Sequence, residues 1–275
     1  MKFDDLDQKM RVFETASDRC VLPGLHIVSR LDGRNFTRLT KETCKFETPF
    51  DEAFRDFMVE TVKHLMDCGF RIVYGYTESD EISLLFHPDE EAFGRKTRKL
   101  NSILAGEASA KFSLLVGLPA VFDCRISELP TADLVVDYFR WRSEDAHRNA
   151  LNAHCYWLLR KQGKSASAAT SFLHNKSISD KNEFLFENGF NFNDTPNWQK
   201  RGVGVYWEEF EKEGRNELTG GAVTAVRKRL KVDFELPMKD AYSEFIQRLC
   251  KDSMPDFLIC LDSVNRTAKS PERHR

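Results

Sequence analysis

Between Leu25 and Ile126 the chain switches between two hydrophobic periodicities, and the order of the switches restricts its fold more than any other feature. Leu25-His26-Ile27-Val28-Ser29-Arg30-Leu31 is a short run with β-branched residues that stops at Asp32-Gly33, the pattern of a strand entering a tight turn. Phe50, Ala53, Phe54, Phe57, Met58, Val62, Leu65 and Met66 recur at helical spacing and Gly69 supplies a stop, so a helix is expected from Phe50 to Cys68. Phe70 to Tyr76 and Glu81 to Phe86 read as two strands around a turn at Glu78-Ser79-Asp80. A second helix is expected from Phe93 to Leu115, and a fourth strand from Val121 to Ile126. The order β-α-β-β-α-β is the ferredoxin-like, split-βαβ arrangement of an α+β fold.

From about Pro130 the pattern turns helical. One helix is expected through Leu134, Val135, Tyr138, Phe139 and Trp141, and another through Ala150, Leu151, Tyr156, Trp157 and Leu158. Short strands follow near Gly202 to Trp207 and Lys231 to Leu236, and the polar end from Lys269 to Arg275 reads as frayed. This suggests a ferredoxin-like region over 1–130 and a mainly helical region over 131–275, packed together as one compact unit.

Composition excludes several classes. No apolar run approaches the roughly 20 residues that span a bilayer, and the acidic start Met1-Lys2-Phe3-Asp4-Asp5-Leu6-Asp7 lacks a signal peptide's apolar core. Seven scattered cysteines with no Cys-x-x-Cys pair argue against a disulfide framework or zinc site, so a reducing, cytoplasmic setting is expected. Net charge is −2, yet basic residues bunch at Arg95, Lys96, Arg98 and Lys99, at Arg160, Lys161 and Lys164, and at Arg227, Lys228, Arg229 and Lys231. Each cluster reads either as a solvated face or as a phosphate-binding surface, and the latter needs only local positive charge.

In a ferredoxin-like sheet the first and third strands are antiparallel neighbours, so Asp32 should meet Asp80 and Glu81 at one edge. Two carboxylates and the Gly33 carbonyl are hard oxygen ligands suited to Mg²⁺. A pair of such ions about 4 Å apart supports in-line phosphoryl chemistry. Taken singly, each aspartate also reads as an ordinary turn residue. His26 and His154 read as core or rim residues, and Trp141, Tyr156 and Trp157 as helical core.

Arg30-Leu31-Asp32-Gly33-Arg34-Asn35-Phe36, the segment from Gly75 through Ser79-Asp80-Glu81 to Ser83, and Asp180-Lys181-Asn182-Glu183 resemble signature segments of the tRNA-His guanylyltransferase family and its bacterial and archaeal relatives. The resemblance spans roughly Leu25 to Trp207. It implies a polymerase-type palm and a Mg²⁺-dependent nucleotidyltransferase that adds nucleotides in the 3′–5′ direction to the 5′ end of tRNA. It implies that Asp32, the Gly33 carbonyl and Asp80 hold two Mg²⁺ ions, with Glu81 assisting catalysis. ATP and GTP would be substrates, held by Arg30, Asp32, Gly33, Arg34, Asn35, Phe36 and Thr37 together with Ser79 and Asp80. Lys96 and Lys99 would pair with the triphosphate, or else form a solvated helix start. The tRNA would contact His147, Arg148, Asn149, Asn152, Lys181 and Asn182, and the enzyme would be a homo-oligomer, a tetramer by resemblance.

Two departures qualify this. Eukaryotic members resemble His-Ile-Asn-Asn-Leu-Tyr-Asn where this chain has His147-Arg148-Asn149-Ala150-Leu151-Asn152-Ala153, so two amides have become alanine. Thr48 precedes Pro49 where the eukaryotic members have a lysine, so one triphosphate contact is either missing or supplied by Lys45. The first departure points to the bacterial type of protein that repairs 5′-truncated tRNAs. The alternatives are strict addition of one G to tRNA-His, a nucleotide cyclase built on the same palm, and an RNA-binding module whose carboxylates are structural.

Overall fold

A computed structural model describes residues 1–215 and 222–252. The expected frayed end from Lys269 to Arg275 lies outside the described residues, as does Cys260. Strands β1 (His26–Gly33), β2 (Ile72–Glu78), β3 (Glu81–Phe86), β4 (Phe122–Leu129), β5 (Val203–Arg215) and β6 (Ala222–Asp233) form one antiparallel sheet in the order β4-β1-β3-β2-β5-β6. The first four strands have the ferredoxin-like order, and β1 pairs with β3 in the register that sets Asp32 opposite Glu81.

Helices α1 (Phe3–Thr15), α2 (Phe36–Arg38), α3 (Glu52–Leu65), α4 (Thr97–Val116) and α5 (Ala132–Lys161) lie along the first part of the chain. Helices α6 (Ala166–Leu173), α7 (Ile178–Glu187), α8 (Asn197–Arg201) and α9 (Lys239–Asp252) follow. The Asp51 carboxylate accepts the Phe54 amide at 2.9 Å and starts α3. In α4, Leu100, Leu104, Ala108 and Phe112 repeat every four residues and are fully buried, and Gly117 at φ 74° ends the helix.

Strand alternation puts Ile27, Leu31, Ile82 and Leu84 under α3 and α4, and Val28, Tyr74, Tyr76 and Leu85 under α5 and α9. Each fully buried side chain of this kind contributes roughly 1.5–3 kcal/mol. A third cluster joins the second half of α5 to α6 and α7 through Leu151, Leu159, Leu173 and Leu185.

The two helices expected between Leu134 and Leu158 are one 30-residue helix, α5. No glycine or proline interrupts Arg142 to Asn149, and its polar residues occupy the stretch passing the sheet edge, where Arg142, Ser143 and Ala146 are buried. Trp141 is not core: it is 55% exposed on the opposite side of the helix.

The expected short strands near Trp207 and Lys231 are a long ribbon. Only Val203 to Tyr206 of β5 pair with β2, whereas β5 and β6 stay paired from Gly204–Asp233 out to Arg215–Ala222. Leu236 lies beyond β6 yet is fully buried. Charged pairs such as Arg229 with Glu208 at 2.7 Å and Lys228 with Glu209 at 3.7 Å line the ribbon, which is why its pattern shows little apolar alternation.

Candidate active site

Asp32 and Gly33 are not the turn expected from their sequence. Both lie inside β1, Asp32 opposite Glu81 and Asp123, Gly33 opposite Phe122, and the left-handed residue is Asn35 at φ 60°. Glycine is required at 33 for space: a Cβ there would sit 2.4 Å from the Phe36 ring. Phe36 packs against Phe112 at 5.1 Å and Phe122 at 4.9 Å, so its side chain is core. Arg34, Asn35 and Thr37 are exposed around the start of α2, whose first amides have no acceptor within the helix.

The β2–β3 hairpin brings the second acidic group alongside. Its turn residues are Ser79, at φ 50°, and Asp80, and the carbonyl of Asp80 accepts the Gly33 amide at 3.0 Å. Ser79 Oγ donates to Asp80 Oδ1 at 3.1 Å. Burial pushes the Asp80 carboxyl up, its own amide and Ser79 pull it back, and Asp32 and Glu81 raise it again. The two segments predicted to converge therefore do so.

Two carboxylates and one freed carbonyl fit a Mg²⁺ ion that keeps waters and takes further ligands from substrate phosphates. Among the described residues, no group of three or more His, Cys, Asp or Glu side chains could hold a metal alone.

Beside this edge is a cavity of about 380 Å³ between the palm and the helical half. Thr37, Thr40, Lys41, Phe46 and Asp51 line it from one side, Ser79, Asp80 and Glu81 from the sheet, and Asn149, Ala150, Ala153, Trp157, Trp198 and Gln199 from the helices. Trp157 is thus a wall of the cavity, not buried core, and Lys41 Nζ lies 5.0 Å above its ring. Lys45, expected to replace the missing lysine before Pro49, is exposed and outside the lining, whereas Lys41 is within it.

Glu81 faces α5. Its Oε2 accepts Arg142 Nη2 at 2.5 Å and lies 3.9 Å from Arg30 Nη1. Arg30 is thereby aimed at Glu81 across the sheet face, and its Nε is buried without a hydrogen-bond partner. Arg142 also reaches Glu78 Oε1 at 3.2 Å, and burial, then Glu81, push the Glu78 carboxyl up to about 8. Neither Glu78 nor Arg142 was singled out from sequence. A lone arginine in a polar helical stretch carries no signal, although Glu78 adjoins the Ser-Asp-Glu segment.

Lys96 and Lys99 are not brought to the carboxylates within one chain. The neighbouring Arg95 donates to the carbonyls of Val21, Leu22 and Leu25 at the start of β1. Ser109 and Ser113, late in α4, bond Phe122 and Ala120 at the Gly33 end. The start of α4 is thus about a strand length from Asp32, roughly 26 Å for eight residues. Lys96 pairs with Asp18 at 2.8 Å and Arg98 pairs with the same carboxylate, which holds it down near about 2.

The residues expected to meet tRNA fall on α5 and α7. Arg148, Asn149 and Asn152 are exposed on α5, while His147 is half-buried against Phe192 with Nδ1 unpartnered. Burial lowers the His147 pKa, and Lys200 and Arg201 lower it further. Lys181 accepts the Cys155 thiol through its carbonyl at 3.5 Å, and the Asn182 amide donates to Ile178 O at 2.9 Å. Of these residues only Asn149 lines the cavity. No described helix is long and apolar enough to cross a membrane.

The family described as "tRNAHis guanylyltransferase" matches residues 7–130, and "Thg1 C terminal domain" matches 133–243. The tRNA(His) guanylyltransferase of Neurospora crassa is 31% identical over 236 residues, covering 78% of this chain and 80% of its own. Against tRNA(His) guanylyltransferase 1 of Arabidopsis thaliana identity is 27%, over 77% of this chain but only 39% of that longer protein. A solved bacterial tRNA(His) guanylyltransferase (Thg1)-like protein in complex with GTP superposes with a TM-score of 0.70 at 27% identity, covering 90% of this chain and 99% of that one. The same kind of protein in complex with ATP gives 0.69 at 27%, over 89% and 99%. A palm with these acidic segments and both family regions places the chain in the tRNA(His) guanylyltransferase family of nucleotidyltransferases.

Proposed function

We propose that this chain is a Mg²⁺-dependent, cytoplasmic 3′–5′ nucleotidyltransferase that restores missing nucleotides at the 5′ end of tRNA. The observation that carries the reading is the meeting of Asp32, Gly33 and Asp80 at the edge of a cavity large enough for a nucleotide. The two solved relatives, in complex with GTP and with ATP, support a nucleoside triphosphate as the occupant.

A tRNA 5′-monophosphate attacks the α-phosphate of ATP, releasing pyrophosphate and leaving an adenylylated end. The 3′-hydroxyl of the incoming nucleotide then attacks the tRNA phosphate and AMP departs. A 5′-triphosphate end needs no activation and loses pyrophosphate directly. Mg²⁺ held there would supply positive charge to activate the attacking oxygen and stabilise the leaving phosphate. The chain's own part is positioning. Asp32 and Asp80 would hold the ions, the amides after Asn35, which lack an acceptor within α2, would be available to the phosphates, and Lys41 with Trp157 offers a cation and a flat wall.

Repair is favoured over strict tRNA-His guanylylation because Ala150 and Ala153 put methyl groups in the cavity wall at two positions where the family resemblance places amides. The reading includes a homo-oligomer, a tetramer by resemblance. The test is transfer of label from α-labelled GTP to the 5′ end of a tRNA lacking its first nucleotide, with Mg²⁺ and with a chelator. Incorporation only with Mg²⁺ is expected, and no incorporation in either condition overturns the reading.

A further inference from the structure

Arg142 sits about a third of the way along α5 with its side chain 4% exposed, and its guanidinium meets the turn end of the β2–β3 hairpin. Nη2 reaches Glu81 Oε2 at 2.5 Å and Glu78 Oε1 at 3.2 Å, Nη1 lies 3.4 Å from Asp145 Oδ2, and the Trp141 ring is 4.8 Å away. Glu78 and Glu81 are cross-strand partners directly opposite each other, closing the two-residue turn of Ser79 and Asp80. Two carboxylates so placed repel whenever both are ionised. A cation between them converts the repulsion into a clamp on both ends of the turn.

Buried ion clusters stabilise little, because desolvation offsets most of the attraction, so stability alone does not account for this one. What the cluster defines is the position of the turn. Asp80 is tied to β1 through its carbonyl and the Gly33 amide, and the residues on either side of Ser79-Asp80 are tied to α5 through Arg142. The same helix carries Asn149, Ala150 and Ala153 into the cavity wall.

We propose that Arg142 is a positioning residue: by gripping Glu78 and Glu81 from the helical half, it fixes the turn that presents Asp80 to the metal and couples the seating of α5 to the geometry of transfer. This rests on the nucleotidyltransferase reading of the site. Arginine suits the task because its planar fork reaches three carboxylates at once, Glu78 and Glu81 through Nη2 and Asp145 through Nη1, which a single lysine ammonium cannot reproduce.

The experiment compares the full-length chain with Arg142→Lys, Arg142→Met and the double variant Arg142→Met/Glu78→Gln. Nucleotide addition to a truncated, 5′-triphosphorylated tRNA is measured alongside Mn²⁺ binding by electron paramagnetic resonance and thermal melting. The expected result for Arg142→Met is a kcat lower by 100-fold or more, a nucleotide KM within threefold, and Mn²⁺ binding at least tenfold weaker. Arg142→Lys should fall between it and the parent, and it carries the test if the methionine variant does not fold. The double variant should recover melting temperature, since one buried carboxylate is gone, without recovering kcat or Mn²⁺ affinity. Recovery of kcat in step with melting temperature would make Arg142 a charge neutraliser and overturn the proposal. So would unchanged kcat and Mn²⁺ affinity in Arg142→Lys and Arg142→Met. A parent chain that adds no nucleotide fails the functional reading instead, and Mn²⁺ binding then still decides the clamp.

Discussion

The amide of Gly33 donates to the carbonyl of Asp80 at 3.0 Å, so the two segments that carry the acidic site are joined by backbone and not only by side chains. The site's scaffold is thereby separable from its charge. Asp32→Ala or Asp80→Ala removes a proposed metal ligand and leaves this bond and the surrounding core in place. Nucleotide addition should fall by about 100-fold or more, with the circular dichroism spectrum unchanged. Retention of most activity in Mg²⁺ by either variant would rule out the metal assignment.

Gly33 itself is a steric requirement. Gly33→Ala drives a methyl group into the Phe36 ring, whose neighbours Phe112 and Phe122 leave it nowhere to turn. Overpacking of this kind costs about 1–3 kcal/mol. The urea midpoint should shift down accordingly, and an unchanged midpoint would show that Phe36 can yield.

The acid response of the helical half should trace to His154. Its ring stacks on Phe190 at 4.8 Å beside Phe50 and Phe192, and burial lowers its pKa to about 4. A histidine with a depressed folded pKa takes up a proton on unfolding below its unfolded value of about 6.5. Stability is therefore intact above pH 6.5 and lost progressively as the pH falls toward 4. His154→Phe should flatten the decline in melting temperature between pH 7 and 5. Parallel curves for the parent and the variant would exclude His154 as the source.

Lys41 should carry part of the nucleotide affinity. It lines the cavity, where the sequence comparison had pointed to Lys45 and to Lys96 and Lys99. Losing a hydrogen bond to a charged group costs about 1.5–3 kcal/mol, so Lys41→Ala should raise the nucleotide dissociation constant by about tenfold or more. Titration calorimetry with a non-hydrolysable triphosphate measures this directly, and equal affinity for parent and variant would reject the role.

The contrast among these lysines marks where sequence reasoning stops. The Asp32–Asp80 convergence was legible because strand order alone decides it, whatever the 48 positions between the two residues. The triphosphate role of Lys96 and Lys99 comes from the family resemblance, which says nothing of where their helix begins relative to Asp32. Helix α4 runs the full length of β1, so its first turn lies at the opposite end, a matter of helix direction that periodicity does not encode. Arg142 was invisible for a related reason: its partners Glu78 and Glu81 are more than 60 residues away on another element. The β5–β6 ribbon was read short because side chains paired across two exposed strands need no apolar alternation.

Substrate choice should follow from what the cavity wall lacks. Ala150 and Ala153 face the cavity in the stretch of α5 where family resemblance places amides, and a methyl group offers RNA no directional contact. Discrimination that depends on such contacts relaxes when they go, while contacts to phosphate, which carry no sequence information, remain. Exposed Arg148 and Asn152 on the same helix still suit the backbone of an acceptor stem. Selection then rests on tRNA shape and on pairing between the incoming nucleotide and the opposing strand. Truncated tRNAs of several amino-acid identities should be extended with higher kcat/KM than intact tRNA-His, and the added base should follow the templating base. Measuring kcat/KM on truncated and full-length transcripts, with the opposing base varied, decides it. Preferred use of intact tRNA-His, with G added whatever lies opposite, would restore the strict guanylyltransferase.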